Sequence, residues 1–229
     1  MSVTEAAILS IKQMIISGEL RPGDRMPPEA ELGERLGLSR SSLREAIKAL
    51  EMVNVLDVRR GDGTYVTSLD PSVLSGAVGF VVELQQGRTA LELLEVRRIL
   101  ETAAARRAAV RVDAATLDLI EAEVGSLEDA DTELLVRHDA QFHRLIAQAA
   151  DNAYLVGLLD ALSPRTLRVR AWRAFTERGV AERTVSEHRA ILAALRAGDP
   201  DLASAWMTVH IQGVEEFLRQ SLDVIEESS

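Results

Sequence analysis

Apolar residues recur at helical spacing along nearly the whole chain. The exception is a short stretch between residues 55 and 66. Over residues 3–17, Ala7, Ile8, Ile11, Ile15 and Ile16 share one face, which predicts a first helix stopped by Gly18. Leu20-Arg21-Pro22-Gly23-Asp24 is turn chemistry, and Pro27 and Pro28 stand just ahead of a second, short helix, where proline is favoured. Leu32 and Leu36 lie four apart on that helix. Gly37 ends it, because glycine accepts the left-handed conformation that closes a helix. Ser39 then caps a third helix through its hydroxyl. Leu43, Ala46, Ile47 and Leu50 give this helix an i, i+3, i+4, i+7 stripe that ends near Met52. Residues 55–58 and 64–66 predict two short strands joined through Gly61-Asp62-Gly63. Three helices and a β-hairpin make a winged helix-turn-helix.

Asp70-Pro71 predicts a linker, and beyond it the pattern is helical to the end. Helices are expected near 72–86, 89–110, 113–128, 132–150, 153–175, 180–197 and 200–222, with breaks at Gly87, Asp113, Asp131, Asp151-Asn152, Gly179 and Gly198-Asp199-Pro200. The expected fold is therefore mainly α. A winged helix-turn-helix domain occupies residues 1–69, a linker 70–75, and an all-α bundle of about seven helices 76–229.

Composition narrows the function classes. At 47% hydrophobic residues the chain can bury a substantial core, and with no cysteine it has neither disulfides nor thiolate metal sites. No N-terminal apolar segment resembles a signal peptide, and the longest uncharged stretch, 71–82, is too short to span a bilayer. The chain reads as a soluble cytoplasmic protein. A net charge of −10 argues against a general nucleic-acid coat. Locally the balance reverses: Arg35, Arg40, Arg44, Lys48, Arg59 and Arg60 face only Glu45, Glu51 and Asp57 over residues 35–60. That is the footprint of a local DNA contact. The early turns of the third helix carry Arg40, Ser41, Ser42 and Arg44, where a helix-turn-helix enters the major groove. Arginine donates two hydrogen bonds to guanine there, and hydroxyls reach phosphates or bases. Two amphipathic helices around a glycine turn also occur in ordinary all-α proteins, and it is the adjoining hairpin, with Arg59, Arg60 and Gly61 at its tip, that favours DNA.

In the bundle, polar residues interrupt apolar stripes. Asp139 and His143 share a face with Leu135, Phe142 and Ile146. His188 lies among Val185, Ile191, Leu192 and Leu195. His210 lies with Trp206, Gly213, Val214 and Phe217, and Arg97 with Leu93, Leu94, Leu100 and Ala104. A buried ionisable group is costly unless paired or metal-bound, so convergence of all five is the simplest single explanation. Asp139 and His143, four apart, can reach one ion from one helix. One carboxylate and three imidazoles suit a divalent ion such as zinc, nickel or manganese. Arg97 would clamp a carboxylate whose other oxygen goes to the ion. The competing account makes Asp139–His143 a surface ion pair and each lone histidine a satisfied core residue. His138, beside Leu134 and Leu145, stays open as a ligand on spacing alone. Arg165, Arg168, Arg170 and Arg173 read as a solvated face or subunit contact, with Arg168 or Arg170 able to face the cavity. Trp172 and Trp206 read as core, and Asn152 as a helix cap.

Three runs carry a family resemblance: GELRPGDRMPPEAEL, LSRSSLREAIKALE and GDGTYV, spread over residues 8–66. They resemble the N-terminal domain of GntR-family transcription regulators. The resemblance implies operator contacts by Ser39, Arg40, Ser41, Ser42 and Arg44 and by Arg60 and Gly61 in the wing, with Arg35 on the same basic face. Two departures stand out: Ala30 where relatives carry a basic residue, and Met52-Val53-Asn54 in place of an acidic-glycine turn. LLEVRRILE at 93–101, HDAQFHRLI at 138–146, EHRAILAAL at 187–195 and the helix with His210 resemble the FadR-subfamily effector (FCD) domain. This implies a divalent metal, zinc first, on Asp139, His143, His188 and His210. It also implies a small carboxylate effector held with help from Arg97, and it argues against the fatty-acyl-CoA branch.

The expected protein is thus a homodimeric regulator, read as a repressor, that binds double-stranded operator DNA under control of a small carboxylate. The alternatives are direct metal sensing, a purely structural metal, or a metal-dependent enzyme. The last is disfavoured because no separate general base shares the stripes, and no P-loop, dinucleotide turn or Ser-His-Asp spacing is present.

Overall fold

The computed structural model of the chain describes residues 2–70, 78–79, 82, 89–126 and 132–227. The chain divides into two compact units, Met1–Ala77 and Val78–Ser229.

In the first unit, α1 (Val3–Ile16), α2 (Glu29–Leu36) and α3 (Arg40–Met52) precede β1 (Leu56–Arg59) and β2 (Gly63–Val66). Ser2 starts α1 with a capping box. Its hydroxyl accepts from the Glu5 N–H, and the Glu5 carboxylate accepts from the Ser2 N–H. Met14, rather than Ile16, completes the buried face of α1. Ile16 sits in the last turn, 65% exposed. Gly37 closes α2 at φ 64°, and the Leu38 N–H then returns to the Gly33 carbonyl at 2.8 Å. Ser39 caps α3 by accepting from the Ser42 N–H at 3.1 Å. All four stripe residues of α3 are buried, and Leu43, Ile47 and Leu50 pack with Ile11, Leu32, Leu56 and Val66. Each buried leucine or isoleucine contributes roughly 2 kcal/mol.

The hairpin is antiparallel, with Leu56 opposite Val66 and Arg59 opposite Gly63. The stretch read as a turn also straps the sheet. Met26 N–H donates to the Thr64 carbonyl at 2.8 Å, and Val66 N–H to the Asp24 carbonyl at 2.9 Å. Asn54 takes φ 55°, so asparagine supplies the left-handed residue of the turn between α3 and β1.

In the second unit, α4 (Thr89–Ala108), α5 (Ala114–Ser126), α6 (Thr132–Ala149), α7 (Ala153–Thr176), α8 (Val180–Arg196) and α9 (Pro200–Glu227) follow in order. Of the expected 72–86 helix only Val78, Gly79 and Val82 are described, and they are helical. Of the expected 70–75 linker only Asp70 is described. The α9 helix runs past the expected end at 222, since 222–227 contains neither glycine nor proline. Helix α4 lies along α9, α6 packs on α4, α5 and α7, and α8 packs on α9. Phe142, Ile120, Ile146, Ile191, Leu195 and Met207 form the centre of the core. Asn152 caps α7 as expected, accepting from the Tyr154 and Leu155 N–H groups.

Two aromatic residues depart from expectation. Trp172 and Trp206 are 38% and 36% exposed rather than core. Each lies off the face its helix buries: α7 turns Val169, Arg170 and Arg173 inward, and α9 turns Met207, His210 and Ile211 inward. Among the described residues, no helix is long and apolar enough to cross a membrane.

Candidate metal centre and recognition helix

Asp139 and His143 stand one turn apart on α6, His188 on α8 and His210 on α9, all four buried. One ligand atom from each lies within 4.8 Å of the others. The His210 Nε2 is 3.1 Å from His143 Nε2 and 3.4 Å from His188 Nε2. Asp139 Oδ1 is 3.5, 3.4 and 3.8 Å from the Nε2 atoms of His143, His188 and His210. Bonds of about 2.0–2.2 Å to one tetrahedral ion set its ligand atoms about 3.3–3.5 Å apart, so the cluster has the size of a metal cage.

The far sides of Asp139, His143 and His210 strengthen this fit. The His143 Nδ1 pairs with Glu101 of α4, and the His210 Nδ1 donates to Glu187 of α8 at 2.8 Å. The second Asp139 oxygen accepts from Arg170 of α7. Such partners fix tautomer and orientation, and here they leave Nε2 and Oδ1 pointing at a common centre. His188 is held differently: its ring stacks on Phe142 at 3.7 Å between centroids, 8° from parallel. Burial pushes His188 down to about 3, so it is a neutral imidazole able to donate a lone pair, and burial lowers His210 too. Burial by itself would raise Asp139, but Arg170 and His143 outweigh it and hold the carboxyl well below the usual range. Glu101 is held low against burial by Arg97 and His143 in the same way. The Asp139 carboxylate and the neutral His188 imidazole can each offer a lone pair, and the spacing of the four residues fits a divalent ion.

Arg97 does not touch the four ligand side chains. Its Nε donates to Glu101 and its Nη1 to the Thr166 hydroxyl at 3.1 Å, so it braces His143 through Glu101. It also lines a small cavity of about 30 Å³ with His143, Ser163 and Arg170. His138 lies outside the cluster, its Nδ1 2.5 Å from Glu123 of α5. The basic run of α7 needs correction. Arg168 is exposed as expected, but Arg170 and Arg173 are buried. Burial pushes Arg170 down to about 10, Arg97 adding to that and Asp139 opposing it. Glu101 and Glu187 escaped the sequence reading, although Glu101 one turn after Arg97 and Glu187 beside His188 were available as signals.

In the first unit, Arg40, Ser41 and Arg44 are exposed along the start of α3, while Ser39 and Ser42 are engaged in the cap. Arg44 rests on Glu29 at 3.0 Å, 63% exposed. Arg35 pairs with Glu19 on the surface. At the wing, Arg60 and Gly61 are exposed, with Gly61 at φ 79°. Arg59 instead lies over the Tyr65 ring, 4.2 Å from its centroid.

Residues 3–66 match the profile of bacterial regulatory proteins of the gntR family, and residues 92–213 match that of the FCD domain. The HTH-type transcriptional regulator LutR of Bacillus subtilis is 33% identical, over 90% of this chain and 96% of that protein. The galactonate operon transcriptional repressor of Escherichia coli is 29% identical, over 87% and 90% respectively. A solved structure of a Streptococcus agalactiae GntR protein aligns with a TM-score of 0.70 at 28% identity, over 94% of this chain and 99% of that one. Fold, recognition helix and matches together define a DNA-binding transcription regulator and not an enzyme. The chain belongs to the GntR family, with an FCD domain as its C-terminal part, consistent with the FadR-like branch.

Proposed function

We propose that this protein is a metal-dependent, metabolite-responsive repressor. Asp139, His143, His188 and His210 hold a divalent ion, zinc first, with nickel or manganese as substitutes. The ion supplies a Lewis-acid anchor for an oxygen of a small carboxylate. Arg97, from the cavity it shares with His143, holds that carboxylate's charge. The observation that carries this reading is the convergence of the four donors, each on its free atom, within a regulator. The proteins named for the galactonate and L-lactate dehydrogenase operons of Escherichia coli support an acid metabolite as effector.

Residues 1–69 would bind operator DNA through Arg35, Ser39, Arg40, Ser41, Ser42, Arg44, Arg60 and Gly61, and residues 76–229 would sense the effector beyond a 70–75 linker. A homodimer matches a pseudo-palindromic operator. An exposed stripe on α9, with Leu202, Trp206 and Val209 at i, i+4 and i+7, supports self-association, since apolar surface at that spacing seeks a partner.

The test is fluorescence anisotropy on DNA from the protein's own promoter, with metal-loaded and chelated protein, titrated with hydroxy acids and sugar acids. A carboxylate that releases DNA only from metal-loaded protein is the expected result. Operator binding indifferent to both metal and every acid would overturn it. A second reading, a purely structural metal, is favoured by one feature: the four donor residues are at most 6% exposed. Chelation would then lower stability while no acid changed DNA affinity.

A further inference from the structure

Arg170, which the sequence left able to face the cavity, and Arg173, read there as a solvated face or subunit contact, have no evident structural purpose that accounts for all their donors. Both are buried, 7% and 3% exposed, one turn apart on the inner face of α7. Arg170 uses Nη1 on Asp139, but its Nε and Nη2 are buried without a hydrogen-bond partner. Arg173 uses Nε on Glu177 at 2.6 Å, and its Nη2 is likewise buried and unpartnered. Leaving several guanidinium N–H groups unpaired in the interior is costly, more so than for neutral donors. Their carboxylates are also shared. Asp139 faces three imidazoles, and Glu177, a quarter exposed, is divided between Arg173 and Arg183.

Both arginines line one cavity of about 30 Å³, together with Asp139, His210 and Thr184. That is the room of about two water molecules, or of one carboxylate group. Gly213 of α9 lies against Arg173: a Cβ there would stand 3.4 Å from both of its terminal nitrogens. Arg170 also lines the second cavity, the one with Arg97 and His143. The cluster is therefore flanked by two small arginine-lined spaces that share Arg170.

From this we infer that the effector carries two acidic groups, the second of which binds in the cavity lined by Arg170 and Arg173. The inference rests on the metal-and-carboxylate reading for the first group. The Arg170–Arg173 cavity admits only a carboxylate-sized group, so the class is a short dicarboxylate rather than a long-chain acid. A monocarboxylate would leave the Arg170 and Arg173 donors unpaired.

Isothermal titration of zinc-loaded protein with L-lactate, tartronate and L-malate tests this, because the three share a 2-hydroxycarboxylate head and only the last two add a second carboxylate. Wild type should bind a dicarboxylate about tenfold or more tighter than lactate, as expected for hydrogen bonds between charged groups. Arg173→Gln should reduce that preference to about threefold or less, with zinc content by elemental analysis and circular dichroism unchanged.

Lactate binding as tightly as both dicarboxylates overturns the inference, as does a preference that survives Arg173→Gln intact. The two readings also fail separately. Zinc binding with no dicarboxylate preference removes the second subsite alone. A preference that persists after chelation and vanishes in Arg173→Gln keeps the subsite and removes the metal.

Discussion

Glu187→Gln offers the sharpest test of the candidate metal centre, because it alters one charge and almost no shape. The His210 Nδ1 donates to Glu187 Oε2 at 2.8 Å, and this fixes the tautomer that points Nε2 at the other donors. A glutamine carbonyl still accepts that hydrogen bond, so metal-free protein should lose no more than about 1 kcal/mol. The imidazole, however, loses the buried negative charge that raises its basicity. Replacing an outer partner of this kind weakens metal binding about 10- to 100-fold, or about 1.4–2.7 kcal/mol. With metal in excess, that difference passes directly into folding stability. For a unit of this size it lowers Tm by roughly 3–10 °C. The assay is a pair of thermal unfolding curves, chelated and zinc-saturated, for wild type and variant, with zinc affinity measured by competition against a chelating dye. The expected pattern is near-coincident chelated curves and a separated zinc-saturated pair. Zinc affinity within about threefold of wild type would refute the assignment of His210 Nε2 as a ligand, and with it the shared centre. A large loss already present in chelated protein would show that Glu187 is a folding residue instead.

Other perturbations follow from the same structure. Phe142→Ala removes a fully buried ring that stacks on His188, and should cost about 3–5 kcal/mol in urea unfolding; a loss under about 1 kcal/mol would contradict the packing. Arg40→Ala, at an exposed position in the first turn of α3, should weaken operator binding by about 1–3 kcal/mol with relaxed base preference, read by anisotropy on operator variants; an unchanged affinity would take Arg40 out of the contact set. For pH, the folded-state value of His188 lies near 3 and its ordinary value near 6.5, so the unfolded chain takes up the proton first. Stability of metal-free protein is therefore full above about pH 7 and declines as pH falls through 6.5 towards 3. Urea midpoints should drop between pH 7 and pH 5, and His188→Gln should flatten the drop; an equal slope in the variant would reject this origin.

Helix positions were legible because amphipathic periodicity is a local property. The α3 stripe of Leu43, Ala46, Ile47 and Leu50, the Gly37 closure and the Ser39 cap all depend on neighbours within a few residues. So did the pairing of Asp139 with His143, which one helical turn brings together. The same locality marked His188 and His210 as polar residues inside apolar stripes, and so as residues in need of partners. Which partners they have is a property of packing: only the lie of α6, α8 and α9 brings the three Nε2 atoms and Asp139 Oδ1 within 4.8 Å.

The places where the sequence misled share one physical cause. Periodicity reports the apolar face of a helix, and a buried charge is invisible to it, because what makes that charge tolerable lies on another helix. Arg173 looked like surface because arginine usually is, and between Arg168 and Arg170 the sequence could not choose which turns inward; Asp139 from α6 holds Arg170 inside, and Glu177 anchors Arg173. Trp172 and Trp206 erred the other way, since bulk and hydrophobicity promise burial while the turn of the helix decides it. Arg97 was placed near the donors by its stripe, but the stripe could not show that Glu101 and Thr166 take hydrogen bonds from it and that it braces His143 through Glu101. The sequence by itself determined the helices, the hairpin and which four polar residues of the bundle stand in need of partners. Tertiary structure decided which charges sit among them, because electrostatic partnership acts across space and leaves no period along the chain.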